Sequence, residues 1–197
     1  MPNQGGRKRH VTPIATTGFT AIQNGGKDGQ LVVTCRFDGE ARKQMESLLK
    51  QIVDEDPRKN AKPSGVKIEL DPETEKETGT LLVTFKKNAE GKNRATGETF
   101  TQTINVVDSQ KAPVTEIVAA GSRARVSFST WQTEYQGTPF IRLSPNAVQV
   151  IELVEFGATG AADFDVVDEG FVSSGEQAAV KPVSDNTAHA DAAAADF

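Results

Sequence analysis

The segment Ser122-Arg123-Ala124-Arg125-Val126-Ser127-Phe128-Ser129-Thr130-Trp131 alternates between two kinds of side chain. Ala124, Val126, Phe128 and Thr130 form one set; Arg123, Arg125, Ser127, Ser129 and Trp131 form the other. Successive side chains of an extended chain point to opposite faces, so the pattern predicts a strand with one face in a core. The opposite face is basic and ends in the only Trp of the chain.

Strand signals recur on both sides of this segment. Residues 29–38 alternate in part, with Leu31, Val33, Cys35 and Phe37 on one side and Val32, Thr34 and Arg36 on the other. Their approach, Asn24-Gly25-Gly26-Lys27-Asp28-Gly29, is made of turn formers. Further strands are predicted at 66–70, 80–87, 99–107, 140–143 and 147–156, and residues 88–98 read as a polar hairpin loop. Only one stretch has helical spacing: Met45, Leu48, Leu49, Ile52 and Val53 form an apolar stripe that stops before Pro57, with Arg42, Lys43, Glu46 and Lys50 on a solvated face. A parallel sheet would need a crossover helix after each strand, so these strands with one helix predict a mainly β, Greek-key barrel of five or six of them. Residues 1–17 lack periodicity and read as a flexible basic arm carrying Arg7, Lys8 and Arg9; residues 18–156 read as the folded domain.

The chain of 197 residues suits one core with appendages. Its net charge of −5 conceals an asymmetry. Residues 157–197 hold eight acids and one base, a net −7, whereas the other 156 residues hold 21 bases and 19 acids, a net +2. The acidic segment is rich in Ala, Gly and Ser and is expected to be a disordered tail. A mildly basic body followed by an acidic tail suits a polyanionic partner and a segment that imitates one.

Other chemistries are poorly served. The single Cys35 sits in an apolar run and forms no internal disulfide. The apolar stretch 147–153, interrupted by Gln149 and Glu152, is far short of a membrane span, and the N-terminal basic cluster has no apolar segment behind it, so an intracellular protein is expected. With one Cys and two His, His10 and His189, at opposite ends, neither a zinc site nor a His-based catalytic set assembles. The acids Asp71, Glu73, Glu75 and Glu77, interleaved with Thr and Lys, read as a solvated loop. No enzyme, metal or cofactor is expected.

The basic face is the remaining candidate. The guanidinium groups of Arg123 and Arg125 suit phosphates, and the Trp131 indole offers a stacking platform that any base can use, which favours a single strand over a duplex. Tyr135, Arg142, Lys86, Lys87, Lys92 and Arg94 would extend this surface from loops and strand ends at a barrel mouth. The competing reading is a plain surface strand whose arginines pair with acids.

Three segments, Val107-Asp108-Ser109-Gln110-Lys111-Ala112-Pro113, Gly121-Ser122-Arg123-Ala124-Arg125-Val126-Ser127-Phe128 and Ala147-Val148-Gln149-Val150-Ile151-Glu152-Leu153-Val154, are followed by a tail ending in Asp196-Phe197. In this order the chain resembles phage-encoded single-stranded DNA-binding proteins, over roughly residues 99–156 plus the tail. The resemblance implies an OB fold whose groove binds DNA without sequence preference, carried here by Arg123, Arg125 and Trp131. It implies that Asp191, Asp196 and Phe197 compete for the groove and recruit replication proteins such as a polymerase or helicase-primase. The implied role is in DNA replication, recombination or repair in the cytoplasm of the infected bacterial host, without catalysis or cofactor; a homodimer is one assembly it allows. The alternative expectation is a virion or adaptor protein whose barrel binds protein.

Overall fold

A computed structural model describes residues 8–22, 29–93 and 95–154. The elements in chain order are β1 (Arg9–Val11), β2 (Ala15–Ala21), β3 (Gln30–Phe37), α1 (Gly39–Asp54), β4 (Lys62–Pro63), β5 (Val66–Leu70), β6 (Glu77–Asn88), β7 (Glu90–Lys92), β8 (Thr99–Thr101), β9 (Asn105–Val107), β10 (Arg123–Tyr135) and β11 (Thr138–Glu152). The fold is mainly β, as the strand count predicts. Strands β2, β3 and β6 form an antiparallel meander, and β10 crosses back to pair with β2 before turning into β11.

Closure of the sheet comes from a two-residue link. Strand β4 runs parallel to β11, and β5 pairs with β6, so Ser64 and Gly65 carry the ladder from one edge to the other. The Ser64 N–H donates to the Ile141 carbonyl at 2.9 Å, and the Thr84 N–H donates to the Gly65 carbonyl at 2.8 Å. Gly65 has a φ of 77°, and a Cβ there would lie 2.6 Å from the Thr84 carbonyl oxygen. Only glycine meets both demands. The closed ladder and the single inserted helix are those of an OB-like barrel.

The core is the set of inward phases. Val33, Cys35, Phe37, Val83, Phe85, Val126, Phe128 and Val148 are completely buried. Met45, Leu49 and Ile52 of α1 enter the same cluster, each burial worth roughly 1.5–3 kcal/mol. Asp38 precedes the helix with extended backbone, but its carboxylate accepts a hydrogen bond from the Thr80 hydroxyl instead of capping the first turn. Among the described residues no helix is long and apolar enough to cross a membrane.

Three sequence readings are corrected. Segments 140–143 and 147–156 belong to one strand, Thr138–Glu152; Pro145 lies within it, and the register slips between Ser127 and Phe128 at that point, leaving Asn146 unmatched as a bulge. Segment 99–107 is two short strands: Thr99–Thr101 pairs with Glu90–Lys92, and Asn105–Val107 runs parallel to β11. Much of the supposed arm at 1–17 is in the sheet, with Arg9–Val11 on β10 and Ala15–Ala21 between β10 and β3. Its buried residues include Thr12 and Thr17, whose hydroxyls are satisfied from far along the chain. Thr12 Oγ1 accepts from the Val126 N–H at 3.0 Å, and Thr17 Oγ1 donates to the Ala119 carbonyl at 2.8 Å. An alternation that uses threonines inward does not register as hydrophobic.

Candidate nucleic-acid interface

Strand β10 divides its side chains as the alternation requires over most of its length: Ala124, Val126 and Phe128 are buried, while Arg123, Arg125 and Trp131 are exposed. Ser129 departs from the pattern. It is buried because β1 lies alongside it and Asn146 Nδ2 donates to its hydroxyl at 2.9 Å.

The β10–β11 ladder continues through Tyr135 and Thr138, past the β4 partners Phe140 and Ile141. On it Trp131 and Arg142 are direct cross-strand partners, so their side chains share one face. The end of β6 approaches that face. Together they bound a cleft of about 340 Å³ lined by Lys86 and Lys87 from β6, Trp131 and Gln132 from β10, Arg142 from β11, and Gln102. Four residues of the sequence-predicted set, separated by up to 56 positions, therefore meet in one place.

The electrostatics of the cleft are one-sided. Among the described residues, no carboxylate lies within 4.0 Å of Lys86, Lys87 or Arg142, whereas Arg36, Arg42, Arg58 and Arg123 are all paired with acids. Lys87 follows the inward phase of Val83 and Phe85, so it is half-buried at the mouth and donates to the Thr103 carbonyl at 3.2 Å. Burial pushes its pKa below the ordinary lysine value. A negative ligand would oppose that shift.

Arg123 and Arg125 do not line this cleft. Arg123 pairs with Glu152 at 2.8 Å, and Arg125 Nε donates to the Thr12 carbonyl at 3.2 Å. Arg125 stands six residues from Trp131, roughly 20 Å along an extended strand. Tyr135 is exposed at the hairpin tip, and Lys92 is exposed on β7. Arg94, Asp191, Asp196 and Phe197 lie outside the described residues.

Sequence reasoning missed a residue of the cleft. Gln102 has no pattern to mark it. Phe100 is 51% exposed and faces Gly91 across the β7–β8 ladder. A Cβ on Gly91 would collide with the Phe100 ring and stand 2.8 Å from Gln102 Nε2, so the absent side chain leaves room for both groups, of which Gln102 reaches the cleft. Trp131 also lines a smaller cleft of about 150 Å³, with His10, Glu55, Asp56 and Gln132. His10 stacks on Phe128 at 5.4 Å, and burial lowers its pKa.

No family profile and no curated protein sequence matches the chain. Solved structures do. One is gp2.5, a single-stranded DNA-binding protein encoded by bacteriophage T7, 20% identical over 85% of this chain and 100% of that one, with a TM-score of 0.60. Another is the single-stranded DNA-binding protein from bacteriophage Enc34, 11% identical over 77% of this chain and 86% of that one, with a TM-score of 0.54. The Enc34 protein in complex with ssDNA is similar at 11% identity over 76% and 89% of the two chains, with a TM-score of 0.53. At these identities the likeness is one of fold.

Proposed function

We propose that the chain is a sequence-nonspecific single-stranded DNA-binding protein acting in phage DNA replication, recombination or repair, without catalysis, in the cytoplasm of the infected host. The observation that carries this reading is the cleft in which Trp131 stands among Lys86, Lys87 and Arg142 with no carboxylate in ion-pair range of the three cations among the described residues. An indole stacks on any base, and the cations meet the phosphates on either side of it. Nothing in the cleft is a recognition helix, so duplex DNA is the poorer ligand. The likeness of fold to proteins whose names state single-stranded DNA binding supports the same assignment. The acidic segment 157–197 is read as a docking peptide for replication proteins and a competitor for the cleft. Arg123, Arg125 and Tyr135 would serve as secondary contacts along a longer strand.

A gel shift with a 30-nucleotide oligonucleotide separates this from the alternative of a virion or adaptor protein. Retardation at micromolar protein in about 50 mM salt supports DNA binding. No retardation, by an intact and folded protein, transfers the assignment to protein binding.

A further inference from the structure

Arg58 stands close to the cleft and, judged by charge alone, would be counted among its phosphate ligands. Its geometry assigns it differently. Arg58 Nε and Nη2 donate to the two carboxylate oxygens of Asp56 at 3.0 and 2.8 Å. The same guanidinium donates from Nη1 to the Thr133 carbonyl at 2.7 Å and from Nη2 to the Phe140 carbonyl at 2.9 Å. Thr133 and Phe140 are cross-strand partners on the β10–β11 hairpin, two positions from the Trp131–Arg142 pair toward its tip. The Asp56 side chain is only 4% exposed. It lies just after Glu55, the C-cap of α1, and Glu55 in turn pairs with Lys8 beside β1 at 2.8 Å. One turn of chain thus fastens the end of the helix and the N-terminal segment to the hairpin beside the Trp131–Arg142 pair.

We propose that Asp56 and Arg58 form a buckle that positions the β10–β11 hairpin for nucleic-acid binding, Arg58 acting as a positioning residue that touches no phosphate. This rests on the single-stranded DNA reading above. The planar fork matters because it serves a carboxylate and two backbone carbonyls at once, a geometry that lysine's compact ammonium does not reproduce. Asp56 accepts from the guanidinium, which holds its carboxyl below the ordinary aspartate range. The consequence runs against simple electrostatics. Asp56 is an acid beside a polyanion site, so its removal by charge alone strengthens binding; if the buckle holds the hairpin, its removal weakens binding.

The test is oligo-dT titration of Asp56→Ala, Arg58→Ala and Arg58→Lys beside the unsubstituted full chain at about 50 and 200 mM salt. Thermal melts of each variant set a temperature at which all are folded. The expected result is an affinity loss of about tenfold, or ~1.4 kcal/mol, for Asp56→Ala and Arg58→Ala. The log-log salt slope stays unchanged because every phosphate-binding cation is still in place, and Arg58→Lys fails to restore affinity although it keeps the charge. Tighter binding by Asp56→Ala, a slope reduced by about 0.7 in Arg58→Ala, or full affinity in Arg58→Lys would overturn the buckle. If either alanine variant does not fold, Arg58→Lys and the less disruptive Asp56→Asn carry the same comparison. An unsubstituted chain that binds no oligonucleotide refutes the parent reading instead, so the two failures are distinct.

Discussion

Phe128 and Trp131 lie three positions apart on one strand and have opposite surroundings: the first is completely buried against Phe85 and His10, the second is 42% exposed at the cleft. Phe128→Ala is therefore expected to lower stability by about 3–5 kcal/mol, read from denaturant unfolding. Trp131→Ala should leave the melting transition nearly in place and weaken oligonucleotide binding by ~1–3 kcal/mol, the worth of one stacked base. A Trp131→Ala variant that melts early but keeps its affinity per folded molecule would place the indole in the core. The cations divide as well. Lys86→Ala combined with Arg142→Ala should flatten the salt slope by about 0.7 for each phosphate left without a cation. Arg123→Ala with Arg125→Ala should cost less, because Glu152 already neutralises Arg123. Equal losses from the two pairs would extend the binding face along the whole of β10.

Elements whose two faces differ were readable from order alone. Alternation marked β3, the buried half of β6 and most of β10, and the 3–4 spacing of Met45, Leu49 and Ile52 marked α1, because burial on one side imposes a period. The elements that escaped are those whose burial is polar or whose ladder is interrupted. Thr12 and Thr17 hide β1 and β2 behind hydroxyls satisfied over 100 residues away, and Pro145 with the Asn146 bulge divides β11 on paper but not in the sheet. The cleft was half legible: its basic and aromatic residues stood out singly, but their meeting depends on barrel closure. That closure depends on Gly65. Gly65→Ala combines a positive φ with a 2.6 Å approach to the Thr84 carbonyl, so it should lower stability by at least ~1–2 kcal/mol from the left-handed backbone alone. Hydrogen exchange would show the loss concentrated at the Ser64 and Thr84 amides on the seam, whereas uniform protection would mean that the seam tolerates a side chain there.

For the whole molecule the decisive quantity is the distribution of charge. The first 156 residues carry +2, with Lys86, Lys87 and Arg142 at the cleft, and the 41 residues from 157 onward carry −7. If those acids compete with phosphate, deleting 157–197 should tighten oligonucleotide binding at about 50 mM salt, with the gain shrinking at 200 mM as screening grows. Unchanged affinity at both would leave partner docking as the role of that segment. Stacking of a single strand on Trp131 among the cleft cations has a built-in reporter, because the chain contains one Trp. The measurement is a titration of its fluorescence with oligo-dT and with duplex of equal length at the two salt concentrations. Strong quenching by the single strand is expected, with a log-log salt slope of about −2 to −3 for three or four phosphate contacts and much weaker duplex binding. Binding that leaves Trp131 emission unchanged, or equal affinity for duplex and single strand, would contradict this mode of binding.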